Sequence, residues 1–560
     1  MEAINITDEF NDTDFDEITA QVEAIICEEE KIFGEIASPV AASSIISKDI
    51  IYALENNEVG DSCLFLNLQK YQYCYDHSGN QWFRWNGHYW RQDFIGDVYT
   101  AMDLVVDQYS KEAQRQAIAR INAAKKQNQD AERKAAFLEK ELLKRIRDLQ
   151  TLYRQKNVLT LSTKGEDSLG ISGDEWDRHP FLLPCKNGVI NLLAGEVEDG
   201  RPEDYIKIYA PVEWKGFDEK APRWEKFLLE IFKGDVELVK YVQRLLGYGI
   251  TGSTRDNIIV IFWGPHGRNG KTTIFETLLH ILGQFIGPIQ SEMLTVDLSK
   301  KSADAPSPAV LSLRGKRLVW ASESEEGSNF AVSKLKWLSG SDSLTGRQPH
   351  GKDSIVFPAT HKTILITNHK PKQSAADQAM WQRIHLVPFE LSFVDNPEKK
   401  YERQRDPGLP EKLKSEASGI LAWLVAGCLE WQRIGLSPPK VVVDATALYK
   451  EEEDIVGLFL EDCTDKVLNG KVRARVLYKA FKNWCECYGH RYLSENMFGR
   501  KMTEHYNRNG DRKSNCYEGL SLKPDPRPDS DDGQDVSNIT PQNDGNLAGT
   551  SDGWGSYSEF

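Results

Sequence analysis

The chain contains no C-x-x-C pair, no apolar run approaching the ~18 residues that span a bilayer, and no internal repeat. Its nine cysteines are scattered through 560 residues. One cluster, Cys485, Cys487 and His490, offers too few ligands at poor spacing for zinc. A disulfide scaffold, a structural zinc module, a solenoid and a membrane span are thereby set aside, and no signal peptide is read at the start. A reduced, soluble, intracellular protein with buried thiols is the expectation.

Positive charge is also short, with a net −15 at pH 7, but the deficit lies at the ends. Residues 1–36 hold twelve acidic groups against Lys31, and residues 523–560 hold eight against Lys523 and Arg527, which leaves the middle near +2. Overall acidity therefore says little about the partners of the core, because screened tails act separately from a local basic channel.

At this length several domains are expected, in an α/β multidomain chain. Residues 1–58 read as an acidic, largely disordered arm with a short helix near 17–33, and 523–560 as an acidic disordered tail. An α+β domain is expected over 59–215. It begins with aromatics alternating with polar residues from Tyr71 to Trp90, the pattern of a small β-meander. Those aromatics suit one face of a sheet, or stacking on bases. From about 96 to 158 the pattern is helical and basic: residues 111–157 carry thirteen Lys/Arg against six Asp/Glu, with no Pro or Gly. Such helices carry either a solvated face or a surface for phosphate backbones. Strands joined by an Asn187-Gly188 turn follow near 180–190. Residues 216–250 read as an amphipathic helical collar and 251–440 as a central α/β domain. Over 441–522 the order helix-helix-helix-strand suits a winged-helix domain.

The centre of the chain is a strand-loop-helix. Ile258–Trp263 is an apolar run, and the loop Gly264-Pro265-His266-Gly267-Arg268-Asn269-Gly270-Lys271-Thr272-Thr273 opens directly into residues of helical period. That is the context of a phosphate-binding loop, in which backbone N–H groups and a helix N-terminus face an anion. Lys271 would reach the β- and γ-phosphates of ATP and Thr272 would ligate Mg²⁺. The strict G-x4-G-K-[ST] pattern is broken, since Pro265 stands where its first Gly belongs, and this extra spacing predicts a looser placement for Gly264. A glycine-rich turn with an exposed lysine is the plainer alternative.

Acidic and sensing residues should follow. The run Lys316–Ser322 ends in Glu323 and Glu325. Glu323 comes first off the strand and is the candidate for holding the Mg²⁺ shell and orienting water, with Glu325 as deputy. A third run, Lys362–Thr367, ends on Asn368, an amide placed to sense a γ-phosphate. Arg383 precedes another strand-like run and reads as either a finger toward a neighbouring subunit's nucleotide or a structural salt-bridge partner.

In this order the motifs resemble the superfamily 3 helicases of the phage and plasmid primase-helicase and poxvirus helicase-primase type. The likeness runs from about residue 60 to about 522. Gly264–Thr273 is similar to the family's Walker A loop, Arg317–Glu325 to its Walker B and Thr367–Pro371 to its sensor-1 motif. Trp381–Phe389 is similar to its tryptophan-arginine segment, although Gln382 replaces the first Arg of W-R-R. The resemblance implies an AAA+-like P-loop ATPase followed by a winged-helix domain, working as a hexameric ring with ATP and Mg²⁺ between subunits. It also implies a hairpin, Thr345–Pro358, whose His350 and Lys352 touch DNA in the channel. The implied function is an ATP-dependent DNA helicase acting on single-stranded or forked DNA in phage, plasmid or prophage replication. A DNA-bound ATP switch or origin-binding loader is the alternative. A separate primase or other replication proteins would be partners, with no membrane, in the cytoplasm of a bacterial host or a virus-infected cell. About sixty acidic residues precede the matching region, too few for a polymerase fold, so primer synthesis by this chain alone is not expected.

Overall fold

The structure is a computed structural model that describes residues 45–295, 307–322, 330–340, 342–347, 354–371, 377–490, 492–506, 508–509 and 515–523. It divides into two compact units, residues 1–453 and 454–560.

In the first unit, helices α1 (Ser47–Glu55) and α2 (Asn57–Gln69) come first. Residues 47–55 and 57–58 are therefore helical, which corrects the expectation of a disordered arm reaching residue 58. Ile50 and Ala53 are buried with Leu64 and Phe65, and that apolar contact pins a segment whose composition reads as solvated. Strands β1 (Tyr73–Asp76), β2 (Gln81–Trp85) and β3 (Trp90–Gln92) form the antiparallel meander. Its Tyr73, Phe83 and Trp90 face inward as core. The long helices α3 (Asp103–Lys125) and α4 (Gln129–Leu149) form a hairpin, followed by α5 (Leu152–Ser162). Asp61 is fully buried between them, bonded by Arg145, Arg154 and Tyr109. Strand β4 (Gly170–Ile171) joins β1 in parallel, a pairing across about a hundred residues that no local pattern announces. Strands β5 (Leu182–Cys185), β6 (Gly188–Asn191) and β7 (Glu196–Glu198) make a small antiparallel sheet. Helices α6 (Pro222–Ile231) and α7 (Val236–Gly249) lead into the centre, and the Asp235 side chain caps α7 by accepting from Leu238 N–H.

The central sheet has five parallel strands: β8 (Ile259–Trp263), β9 (Ile286–Ile289), β10 (Leu318–Ser322), β13 (Lys362–Thr367) and β14 (Ile384–Pro388). Their order is β14-β8-β13-β10-β9. Continuous apolar runs suit strands covered on both faces. Alternation splits them between two cores: Val260, Phe262, Ile364 and Val387 pack with α6, α7 and α10 (Ala417–Ile434). Ile259, Ile261, Leu365 and Leu386 face the other way, toward α9 (Val332–Ser339) and α11 (Lys440–Glu452). Helix α8 (Lys271–Leu282) follows β8. Between β10 and β13, strands β11 (Ser343–Gly346) and β12 (Ile355–Pro358) form the base of a hairpin, and after β14 two short strands, β15 (Ser392–Val394) and β16 (Glu402–Gln404), pair in parallel.

Helix α11 corrects the expected boundary at 441. Tyr449 is buried against Trp381, and the Thr446 hydroxyl accepts from Leu386 N–H on β14, so the helix is part of the first unit, which ends at Glu453. In the second unit, α12 (Ile455–Cys463), β17 (Thr464–Arg473), α13 (Ala474–Cys487), α14 (Glu495–His505), β18 (Arg508–Asn509) and β19 (Cys516–Leu522) form three helices on a sheet of order β17-β19-β18. Strand β17 was not expected, because its register against β19 shifts between Lys466 and Lys471 and breaks the period-two pattern. Phe459, Phe481, Trp484 and Phe498 make its aromatic core.

Candidate functional site

In a parallel sheet every strand starts at one edge and ends at the other. Strands β13 and β14 flank β8, while the chain leaving α8 goes on to β9 at the far side. The loop after β8 therefore opens at a switch point on the carboxyl edge, where open α/β sheets bind ligands.

Residues 264–270 make a tight turn there. Gly264 is buried, and a Cβ on it would lie 2.4 Å from both Phe389 O and Asn269 Nδ2. Its N–H donates to Thr367 O at 3.2 Å. Despite the extra spacing at Pro265, Gly264 is held closely by the neighbouring strands. Asn269 Nδ2 donates to His266 O at 2.7 Å, closing the loop on itself. Outside the loop, Ser392 Oγ donates to Gly267 O at 2.8 Å and the His266 ring stacks on Tyr401 with centroids 3.8 Å apart. Nothing in the sequence points to Ser392 or Tyr401 as loop supports.

Gly270 takes φ +86° at the start of α8, whose N-terminus has no side-chain cap. Among the described residues, the N–H groups of Gly267, Arg268, Asn269 and Gly270 donate to no protein group. Unused amides ahead of a helix N-terminus form an anion site by partial charge and dipole. Lys271, only 4% exposed, donates through Nζ to Thr367 O and to Asn368 Oδ1, both at 2.9 Å. Loop lysine and strand-end amide thus meet at one point, although 97 residues separate them. Thr272 and Pro265 are exposed and Thr273 is half-buried at the mouth.

Ser322, the last residue of β10, is level with Ile366 on β13. The candidates Glu323 and Glu325 follow it and lie outside the described residues, as do His350 and Lys352 between β11 and β12. For a divalent cation, the described set offers one ligand, the exposed Thr272 hydroxyl, beside the amide cradle. That fits an ion shared with a bound phosphate, since Mg²⁺ keeps few protein ligands.

Arg383 is not brought to the loop. It sits just before β14, and its carbonyl accepts from Ile259 N–H at the first residue of β8. The length of β8, about 13 Å at ~3.3 Å per residue, separates it from the turn. Its Nη1 donates to Lys336 O at 3.2 Å and Ser339 Oγ at 3.0 Å, so the salt-bridge alternative is not what the described contacts show. Lys336 instead pairs with Asp377, whose carboxyl it holds below the usual range.

The amino edge holds a second basic group that sequence reading missed. Arg317, 5% exposed, donates to Ile250 O at 2.7 Å and to Leu182 O, and stacks over Phe285. Burial lowers its pKa to about 10. Lys362, the first residue of β13, donates to Thr251 O and Ser253 O, and burial, then the Arg317 charge, pushes it well below the ordinary lysine value. Beside it His361 is 2% exposed, and among the described residues neither ring nitrogen has a hydrogen-bond partner. Burial and the Lys362 charge lower its pKa to about 4. The sequence signal is a basic residue at the head of each apolar run: Arg317 just before β10 and Lys362 first in β13.

Three family models match segments of the chain: "D5 N terminal like" over residues 64–233, a family of unknown function over 262–383, and "Poxvirus D5 protein-like" over 451–519. Among similar curated proteins, "Putative helicase L207/L206" of Acanthamoeba polyphaga mimivirus is 26% identical over 483 residues, covering 81% of this chain and 48% of that protein. "Putative helicase 022R" of Frog virus 3 is 27% identical over 389 residues, covering 56% of this chain and 39% of that protein. "Putative primase C962R" of African swine fever virus is 22% identical over 269 residues, covering 47% and 26%. The chain thus spans about half or less of the length of these relatives. No helix of the described residues is long and apolar enough to cross a membrane. D5-like sequence thus lies on both sides of the central sheet, and the chain is similar to viral proteins named putative helicase or putative primase, the kind of protein its own motifs resemble.

Proposed function

We propose that the chain is an ATP-dependent DNA helicase of the superfamily 3 type, an AAA+-like P-loop ATPase that assembles as a ring, a hexamer in the family it resembles. The observation that carries the reading is the convergence of four unused loop amides, Lys271 and Asn368 at one switch point. In this reading the amides of 267–270 cradle the β-phosphate and Lys271 leaves Asn368 for the γ-phosphate. Asn368, freed by that exchange, orients the attacking water. Mg²⁺, when bound through Thr272 and the Glu323 carboxylate, would neutralise charge developing on the phosphates. Glu325 stands in reserve for Glu323.

Arg383, remote from its own loop, is the residue to reach a neighbouring subunit's nucleotide. His350 and Lys352, at the tip of the β11–β12 hairpin, would hold single-stranded or forked DNA in the channel, and the second unit acts as a winged-helix module. The proposed setting is replication of phage, plasmid, prophage or viral DNA, with a primase or other replication proteins as partners; similarity to viral proteins named putative helicase or putative primase supports its viral, replicative part.

The test is ATP-dependent strand displacement on a forked duplex, with Lys271→Ala as the inactive control. Displacement that needs ATP and Lys271 is the expected result. Vigorous DNA-stimulated ATP turnover without displacement would replace the helicase by a DNA-bound switch.

A further inference from the structure

The α3–α4 hairpin carries far more cation than the ATPase reading uses. Its two helices treat those cations differently. On α3, Lys111 pairs with Asp107, Arg115 with Glu112, and Arg120 reaches across to Glu139 on α4. On α4, Arg133, Lys140, Lys144 and Arg147 are all exposed, and none takes part in an ion pair among the described residues. Their spacings of seven, four and three residues put them on one face of the helix. The opposite face carries the buried Ala135, Leu142, Arg145 and Leu149. Phe137, 64% exposed, sits on the same outer stripe between Arg133 and Lys140.

No carboxylate lies along the centre of this stripe. Lys140 and Lys144 are four residues apart and Lys144 and Arg147 three, so like charges repel along the helix. A row of phosphates removes that repulsion and releases counterions. At 1.5 Å per residue the four cations span about 21 Å, enough for several nucleotides of a strand. A large exposed aromatic amid cations is the pairing that stacks an unstacked base while its neighbours hold the backbone. A duplex hides its base faces and offers Phe137 nothing.

We infer that the outer stripe of α4, formed by Arg133, Phe137, Lys140, Lys144 and Arg147, is a binding surface for single-stranded DNA, separate from the nucleotide loop and from the β11–β12 hairpin. The inference rests on the reading of this chain as a DNA-working protein and adds a second contact that needs no ATP turnover. Such a surface would hold the strand beside the motor domain, whatever the channel does.

The experiment uses the full chain without nucleotide and measures binding of a fluorescent oligothymidylate by anisotropy over a range of salt. In the variant R133Q/K140Q/K144Q/R147Q the affinity at 0.15 M salt should fall at least tenfold. The slope of log K against log salt should shrink by about 3, from ~0.7 per phosphate contact on a single strand. Phe137→Ala should weaken single-strand binding several-fold, leave the salt slope alone and leave duplex binding unchanged. A control, R84Q/K111Q/R115Q/R120Q, removes the same charge from cations already engaged by carboxylates and should lose much less. All these positions are exposed except the half-buried Lys111, and DNA-free ATP turnover of each variant reports that the fold persists. Equal losses in stripe and control variants, or an unchanged affinity and slope in the stripe variant, overturn the surface while leaving the helicase reading intact. A wild-type chain that binds no DNA at all overturns both.

Discussion

At the carboxyl edge of the central sheet, the Lys271 ammonium lies beside four loop amides that meet no protein acceptor among the described residues, and it rests on Asn368 and the Thr367 carbonyl. At the amino edge, Arg317 and Lys362 are just as buried but direct their donors onto the carbonyls of Ile250, Leu182, Thr251 and Ser253. Both edges bury positive charge, at a desolvation cost that shows as depressed pKa values on the amino side. The amino-edge cations tie the sheet to the segments before β5 and β8. The carboxyl-edge cation sits in a turn with spare donors around it. Burial of a cation therefore says nothing of its role; the groups left over around it do.

The largest effect should separate the edges outright. Lys271→Met is expected to lower ATP turnover by about 10⁴-fold, through lost positioning and charge stabilisation, with the folded state retained by circular dichroism. A variant that turns over ATP at the wild-type rate would remove the carboxyl edge from the chemistry.

Arg383 tests whether the amino edge is wholly structural. Arg383→Ala alone should lose about 10³-fold in turnover if its guanidinium acts on a neighbour's nucleotide. Mixing it with Lys271→Ala subunits should restore a fraction of that activity, because some interfaces then hold an intact loop facing an intact arginine. An absence of rescue would return Arg383 to its contacts with Lys336 and Ser339.

Lys362→Met should leave turnover per folded molecule near wild type and reduce stability by roughly 2–4 kcal/mol, since several buried carbonyls lose their donor. Urea unfolding measures it. A turnover loss as deep as that of Lys271→Met, with no loss of stability, would invert the comparison.

The smallest effect is pH-linked. His361 has a folded pKa of about 4, below its ordinary 6.5, so the unfolded chain takes up the proton first. Its contribution is complete above about pH 6.5 and is lost as pH falls toward 4, at up to about 2–3 kcal/mol. Unfolding free energy followed from pH 7 to 4.5 should therefore fall more steeply in the wild type than in His361→Gln. Parallel profiles would mean that His361 is not held neutral by burial.

Much of the site was legible in the chain. The run Ile258–Trp263, the loop to Thr273 and the helical period beyond it define a strand-loop-helix by local spacing alone. The run ending at Asn368 was visible for the same reason: a fully buried parallel strand is an unbroken apolar stretch. Ser392 and Tyr401 were invisible as loop supports, because a serine and a tyrosine in a polar segment carry no period. Strand β17 was hidden by its register shift, and α11 was given to the wrong unit because an amphipathic helix does not say which neighbour covers its apolar face.

Composition and spacing by themselves determined the long helices, the unbroken apolar strands of the central sheet and which residues can bear charge or turn tightly, since those follow from backbone geometry within a few residues. Tertiary structure alone decided that β13 and β14 flank β8, that Lys271 meets Asn368, and that Arg383 lies at the opposite edge from the loop. Those outcomes depend on hydrogen bonds between strands far apart in the chain, and no local periodicity encodes which strand pairs with which.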